Sequence, residues 1–275
     1  MGRWSPVSED MKAGTIRRVG IVANPKAGDG YVDRLVAVLR EHQVEVAEVR
    51  DADQPDGDAD MDLVFVLGGD GTMLRASRMY PEKVLLGVNL GKVGFMSGML
   101  PEDLEKGVGK VLAGGLEVQE YRMLDVLVAG EEPSVAANDA VLIKKRPEQL
   151  ISVDVSIAGE ELFAFRCDGF IAATPLGSTA YALSAGGPII SGDADCYVLV
   201  PIAPHALVSR PLVLGEGQVA RLELADREAL LSLDGAAPRE IASGECVEIR
   251  LSQKSVRIGR TEDWSWWRAV RRTFL

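Results

Sequence analysis

The sequence predicts a two-domain protein. An α/β domain with a parallel sheet and helices on both faces comes first, a β-rich sandwich follows, and a C-terminal helix docks back. Three observations carry that reading. Between residues 18 and 114, apolar strand-like runs alternate with segments of helical periodicity. Beyond about residue 115, short strand patterns follow one another, separated by Gly, Pro and Asp. The 275 residues are 47% hydrophobic and 26% charged, enough to build two cores without disulfides or metals. The expected boundaries are 1–115 for the α/β domain, 116–260 for the sandwich and 261–275 for an amphipathic tail packed on the body.

The elements of the first part read in order. "RVGIVAN" (18–24) is a short apolar run that ends at Asn24-Pro25, a turn signal. In "YVDRLVAVLRE" (31–41), Val32, Leu35, Val36 and Leu39 recur at helical spacing. "VEVAEVR" (44–50) alternates as a strand, while "MDLVFVLG" (61–68) and "VLLGVNLG" (84–91) are continuous apolar strands of the kind covered on both faces. "TMLRASRMY" (72–80) reads as a helix that stops before Pro81. "PEDLEKGVGKVLAG" (101–114) opens with Pro and acids and closes on Gly, which are helix-boundary signals. Strand–helix–strand alternation of this kind gives parallel strands. In the second part the strand patterns are "LEVQEYRMLDVLVAG", "SVAANDAVLIKK", "LISVDVSIAGEELFAFR" and "FIAAT". After one short helix at 178–185 come "CYVLVPIA", "PLVLG", "QVARLELA", "EALLSLDG", "CVEIRLSQ" and "SVRIGR". Such a series builds a sandwich.

Composition excludes several function classes. A net charge of −11 opposes non-specific nucleic-acid binding, which needs clustered cations on phosphates. Cys167, Cys196 and Cys246 are scattered with no Cys-x-x-Cys, as expected of a reducing cytoplasm, and two histidines do not make a zinc site. The first residues lack the apolar core of a signal peptide, and no apolar run reaches the ~18 residues of a membrane span. "DADQPDGDADMD" (51–62) holds six aspartates but fails the EF-hand template, lacking Gly at the sixth and Glu at the twelfth position, so it reads as a solvated acidic loop. In the tail "WSWWRAVRRTFL", Trp267, Val270 and Phe274 share one helical face with Arg268, Arg271 and Arg272 around it. Docking of that face on the protein's own body is the expectation, ahead of a membrane surface.

The common nucleotide motifs are missing. "GVNLGKV" (87–93) is one residue short of a P-loop and has Val where Ser or Thr must stand. "GEGQVA" (215–220) precedes a strand pattern rather than a helix. What remains is Gly68-Gly69-Asp70-Gly71-Thr72, between a strand and a helix. A tight turn with Asp70 or Thr72 as N-cap is the structural alternative. Ligands of α/β sheets, however, bind at the C-terminal ends of strands, where bare amides and a helix N-terminus meet phosphate oxygens. A carboxylate in that position suits a site where a hydroxyl must lose its proton as it attacks phosphorus.

Three further clusters carry chemistry. Asn138-Asp139 offers a donor and acceptors suited to an adenine edge and to ribose hydroxyls, against the alternative of an Asx turn. "FRCDGFIAATPLGSTAYALSAGGPII" (165–190) gives a small, polar approach to a short helix, with Tyr181 as a stacking platform, against the alternative of a loop whose Ser178 caps the helix. "PIAPHALVSRPLVL" (201–214) is rich in proline at a strand end, and His205 taken alone reads as part of a rigid loop.

Taken together these segments resemble the NAD kinase family. The resemblance runs from "IVANPKAG" (21–28) through "GGDGT" (68–72), "ND" (138–139) and "DGFIAATPLGSTAYALSAGGPII" (168–190) to "PIAPHALVSRPLV" (201–213), and covers the chain from about 21 to 235. GGDGT alone is shared with diacylglycerol and sphingosine kinases; the GSTAY segment is what singles out this family. The resemblance implies an active site between the domains, usually in a homodimer or homotetramer. It implies transfer of phosphate from ATP, with Mg2+ or another divalent cation, to the 2′-hydroxyl of the adenosine ribose of NAD. Asp70 matches the proton acceptor, with Gly71 and Arg75 beside it and Gly68, Gly69 and Thr72 completing the phosphate loop. Asn138 and Asp139 match the pair that holds the dinucleotide. Arg166 and Asp168 match residues flanking the sandwich side of the pocket. Thr179, Ala180, Tyr181, Ala182, Leu183 and Ser184 match the dinucleotide-binding turn, and Ala203 matches the nicotinamide end. Three positions depart from the pattern: Leu176 stands where Ser is common, Asp139 where many members have Glu, and Ala236 where "SLDGA" (232–236) would end in Gln.

The implied partners are NAD and ATP, in the cytoplasm, with neither nucleic acid nor membrane. Two rivals are kept: a lipid kinase of the same loop class, and a non-catalytic NADP(H)-binding sensor, for which Asp70 would be superfluous.

Overall fold

A computed structural model describes residues 16–25, 30–54, 60–90, 94–206, 209–261 and 264–274. The chain divides into two units: residues up to Glu120 together with those from Val256 onward, and Tyr121–Ser255.

In the first unit the elements are β1 Arg18–Ala23, α1 Tyr31–Glu41, β2 Glu45–Asp51, β3 Leu63–Leu67, α2 Asp70–Met79, β4 Val84–Val88, β5 Ser97–Met99 and, after a 3-10 turn at Pro101–Asp103, α3 Leu104–Leu112. The strands pair in parallel in the order β2-β1-β3-β4, and β5 pairs with the end of β4. Arg257 and Ile258 pair in parallel with Val84 and Leu85 at the start of β4. Every residue of β3 and β4 is buried, as expected of strands covered on both faces. On one face Val19, Ile21, Leu63, Phe65, Leu67, Val84 and Leu86 pack against Leu35, Val38 and Leu39 of α1 and Leu104, Val108 and Val111 of α3. On the other face α2 packs on β1, β3 and β4. The strand order reverses between β1 and β3, and in such a sheet ligands bind outside the carboxyl ends of the strands on either side of that point. The Gly68–Thr72 loop leaves the carboxyl end of β3.

The helix predicted from residue 72 begins two residues earlier, at Asp70. Gly69 is the N-cap, and neither Asp70 nor Thr72 supplies a side-chain cap. Gly68 is required: a Cβ there would lie 2.3 Å from Thr72 Oγ1.

The elements that follow belong to the second unit except for the first five residues of β6 and the last six of β17: β6 Leu116–Val128, β7 Ser134–Ala136, β8 Asp139–Lys144, β9 Ile151–Ile157, β10 Glu160–Cys167, β11 Gly169–Ala173, a 3-10 turn Gly177–Thr179, α4 Tyr181–Ser184, β12 Cys196–Ile202, β13 Leu212–Gly215, β14 Ala220–Leu224, β15 Ala229–Leu233, β16 Arg239–Ile241 and β17 Cys246–Thr261. One antiparallel sheet runs β13-β12-β11-β8-β15-β16, and a second antiparallel group runs β10-β9-β14-β17. Leu142, Phe170, Ala172, Leu199 and Leu231 of the first meet Val153, Val155, Leu222, Val247 and Ile249 of the second in one core, a sandwich arrangement. The β9–β10 hairpin turns on Ala158 and Gly159, with φ of 52° and 86°, the left-handed pair that matches the twist of a two-residue hairpin.

Three sequence expectations change here. "CVEIRLSQ" and "SVRIGR" form one strand, β17, because no Gly or Pro separates them and the polar residues between are held: Ser252 Oγ donates to Asp125 at 2.5 Å and its carbonyl accepts from Arg122 at 2.8 Å. "SVAANDAVLIKK" splits into β7 and β8, because the amides of residues 137 and 138 turn to a side chain, Asp234, instead of a strand. The helix expected at 178–185 is broken at Ala180 into the 3-10 turn and the four-residue α4.

The last helix, α5, is Trp266–Phe274. It buries Trp266, Ala269 and Val270 and leaves Trp267 61% exposed, so its buried face is turned by one residue from the Trp267–Val270–Phe274 face expected. Phe274 nonetheless stacks on Phe95 at 5.5 Å. Among the described residues no helix is long and apolar enough to cross a membrane. All three cysteines are free, and burial pushes the thiols upward, Cys167 to about 12 and Cys246 to about 11, which makes them poor nucleophiles.

Candidate active site

On the first unit the candidate residues gather at the N-terminus of α2. Asp70 is its first residue, and both carboxylate oxygens are engaged: Oδ2 accepts the Phe95 N–H at 3.0 Å and Oδ1 the Met96 N–H at 3.1 Å. Gly94 makes this possible, since a Cβ there would stand 2.1 Å from Asp70 Oδ1. A carboxylate offers about four lone-pair directions. Two amides therefore fix its orientation and leave acceptor capacity for a further proton donor. Around a Cβ built on Gly69 there is open space, and Gly71 is exposed, so a ligand can approach the backbone at both positions. Thr72 is buried against Gly68 and acts in packing. Arg75 donates to the Gly71 carbonyl at 3.3 Å and pairs with Asp53, a member of the acidic stretch. The remainder of that stretch at 55–59, and the lysine of "GVNLGKV", lie outside the described residues.

On the second unit a corner between β7 and β8 holds Asn138 and Asp139. Asp234 Oδ2 accepts the Ala137 N–H at 2.8 Å; Oδ1 accepts those of Asn138 at 2.7 Å and Asp139 at 3.1 Å. Asp234 sits in the left-handed region at φ 50°, which an acidic side chain bonded to neighbouring backbone tolerates. Asn138 Nδ2 donates to Asp139 Oδ2 at 3.1 Å. Asp139 is only 6% exposed; burial, and then the charge of Asp234, push its carboxyl up to about 6, against the opposing bond from Asn138.

The "TPLGSTAY" segment is built onto that corner. Thr174 N–H donates to the Asn138 carbonyl at 3.0 Å and its hydroxyl to that of Ala137 at 2.8 Å, while the Gly177 N–H donates back to Thr174 Oγ1 at 3.1 Å. Gly177 has no room for a side chain: a Cβ would meet the Asn138 carbonyl at 2.0 Å. Ser178 does not cap a helix; its hydroxyl donates to the Pro175 carbonyl at 2.6 Å and accepts the Ile190 N–H at 3.0 Å. Leu176 is buried at 2% exposure. Its side chain belongs to the core, which accounts for a non-polar residue here. Thr179 Oγ1 donates to the Leu176 carbonyl at 3.0 Å, Ala182 is buried, Leu183 is half-buried, and Ala180, Tyr181 and Ser184 are exposed.

Arg166 and Ala203 are exposed, and the Arg166 carbonyl accepts the His205 N–H at 2.7 Å. Ala203 carries a positive φ of 44° just past β12. Asp168 is not free: Lys144 Nζ reaches its Oδ1 at 2.6 Å, and the Asp168 backbone bonds Lys144 and Ile202. Sequence reasoning missed Asp234, Lys144, Gly94 and the Phe95–Met96 amides. Only Asp234 had a visible signal, as the acid of "SLDGA".

Among the described residues no group of three or more His, Cys, Asp or Glu is placed to hold a metal ion.

Residues 31–116 match the ATP-NAD kinase N-terminal domain family and residues 137–261 the ATP-NAD kinase C-terminal domain family. The chain is 36% identical over 264 residues to a NAD kinase of Syntrophotalea carbinolica, covering 88% of this chain and 93% of that one. It is 32% identical over 259 residues to a NAD kinase of Methanothermobacter thermautotrophicus, covering 88% and 91%. Among solved structures it resembles an NAD kinase from Archaeoglobus fulgidus in complex with ATP, with a TM-score of 0.79, 28% identity, and coverage of 94% of this chain and 97% of that one.

Proposed function

The chain belongs to the NAD kinase family, and from that premise we propose how its own residues phosphorylate NAD. The γ-phosphoryl group of ATP passes to the 2′-hydroxyl of the adenosine ribose. A bond forms between that oxygen and the γ-phosphorus, the bond to the β–γ bridging oxygen breaks, and ADP and NADP result. Asp70 takes the hydroxyl proton. The single observation that supports this is the carboxylate held at the start of α2 by two amides, with acceptor capacity to spare. The α2 N-terminus and the open backbone at Gly69 and Gly71 receive phosphate oxygens. Asn138 and Asp139 hold the dinucleotide, and Tyr181, Ser184, Arg166, Asp168 and Ala203 line its site.

A divalent cation would accompany the nucleotide phosphates and neutralise part of their charge. Matches to both NAD kinase domains count against a lipid kinase, a reading that rested on the Gly68–Thr72 loop. The cell interior and a homo-oligomeric state belong to this reading as well.

The test is direct. The protein is incubated with NAD, ATP and magnesium, and NADP is detected with an NADP-specific dehydrogenase. Asp70→Asn should lower kcat by about 10²–10⁴-fold, the usual cost of losing a general base. Near-normal NADP formation by that variant would sink the assignment of Asp70, and no NADP from the unaltered chain would favour a sensor.

A further inference from the structure

Asp70 is oriented by a loop that is itself gripped from behind. The Met96 N–H that binds Asp70 Oδ1 belongs to the same peptide group as the Phe95 carbonyl. That carbonyl accepts Arg260 Nη2 at 2.6 Å. A peptide group is planar and stiff, so arginine on its oxygen and aspartate on its N–H act on opposite edges of one plate. The two bonds also polarise each other in the same sense. The Phe95 ring, meanwhile, lies 5.3 Å from Trp266 and 5.5 Å from Phe274, both on α5.

Arg260 is an expensive residue for this place. It is 2% exposed, its Nε and Nη1 have no hydrogen-bond partner among the described residues, and its guanidinium rests on the Trp264 ring at 3.9 Å. For packing alone, an apolar side chain of similar length would serve better. Among the described residues, what arginine adds is a charge-assisted bond to the Phe95 carbonyl. We propose that Arg260 is a positioning residue for Asp70, acting through the Phe95–Met96 peptide, with α5 as the brace that holds Phe95 against it. This rests on Asp70 being the proton acceptor, but its structural half can be measured without turnover.

Arg260→Met and Arg260→Lys are made in the full chain. Exchange of the Met96 amide, followed by NMR without substrates, should be at least about tenfold faster in Arg260→Met, and kcat should fall about 10–100-fold with KM for NAD and for ATP within about twofold, the pattern of a displaced catalytic group. Arg260→Lys, which keeps a cationic donor, should recover part of both. If Arg260→Met does not fold, Phe274→Ala carries the test, because it removes a ring from Phe95 without leaving a buried charge. It should accelerate Met96 exchange and lower kcat in the same direction. Unchanged Met96 protection in the folded variant overturns the proposal, as does a kcat within about twofold of the unaltered chain. Rapid Met96 exchange together with a fully active Asp70→Asn would instead remove the role of Asp70 and leave the brace standing.

Discussion

Asp234 and Asp139 bind each other in both directions: the Asp139 carbonyl accepts the Asp234 N–H at 2.9 Å, and the Asp234 carboxylate accepts the Asp139 N–H at 3.1 Å. Two acids meet here because the contact is backbone to carboxylate rather than carboxylate to carboxylate. Asp234 satisfies three successive amides that β7 and β8 leave unpaired where they break. Asp234→Ala strands those amides in a buried place, which should cost about 3 kcal/mol, within the range for unsatisfied buried donors. Urea unfolding measures it. Asp234→Asn, which retains one acceptor oxygen, should lie between. Equal stability of Asp234→Ala and the unaltered chain would mean the corner is held by other contacts.

The same pair sets a pH dependence. The Asp139 carboxyl is pushed up to about 6, chiefly by burial, from a usual value near 3.8. The folded chain therefore holds this proton more tightly than the unfolded chain. Stability from this group is greatest below the unfolded value and declines as pH rises from about 4 to about 6, by roughly 2–3 kcal/mol in all for a shift of this size. Asp139→Asn removes the titration. Relative to the unaltered chain, that variant should gain stability on going from pH 4 to pH 7. A constant difference between the two chains across that range would show that Asp139 ionises in the fold as it does in water.

At the other end of the chain the prediction separates neighbours. Trp266 is buried against Phe95, whereas Trp267 is 61% exposed. Trp266→Ala should cost about 3–5 kcal/mol, as large aromatic deletions do, and Trp267→Ala within about 0.5 kcal/mol. The reverse order in denaturant titrations would restore the Trp267–Val270–Phe274 face suggested by spacing alone.

Spacing misled there because three of the four residues Trp264–Trp267 are tryptophan, so several faces of the tail satisfy helical periodicity; which one is buried depends on Phe95, about 170 residues away. The parallel sheet was legible because β3 and β4 are unbroken apolar runs whose burial needs no distant partner to explain it. Asp70 stood out because glycines surround it. The groups that hold it did not, because they are backbone amides and carry no side-chain signature. Asp234 was hidden for the same reason: its three partners are amides nearly a hundred residues earlier in the chain. Arg260 looked like one more strand arginine, and only burial distinguishes it.

Gly94 offers the sharpest steric test of the site. A Cβ at this position would stand 2.1 Å from Asp70 Oδ1 and 2.5 Å from its carboxyl carbon, so one of the two residues must move. The Asp70 side chain is the softer of them, since Gly94 continues into Phe95, whose carbonyl and ring are both held. Gly94→Ala should therefore turn the carboxylate away from its amides and lower kcat by about 10²-fold, the scale of a displaced catalytic group. Gly109→Ala is the control. It lies in α3, the nearest atom to its Cβ would be 3.9 Å away, and alanine there should raise stability by about 0.5–1 kcal/mol, as helix propensity dictates. NADP formation by Gly94→Ala at the rate of the unaltered chain would mean that the pose of Asp70 against Gly94 is not the one that matters for turnover.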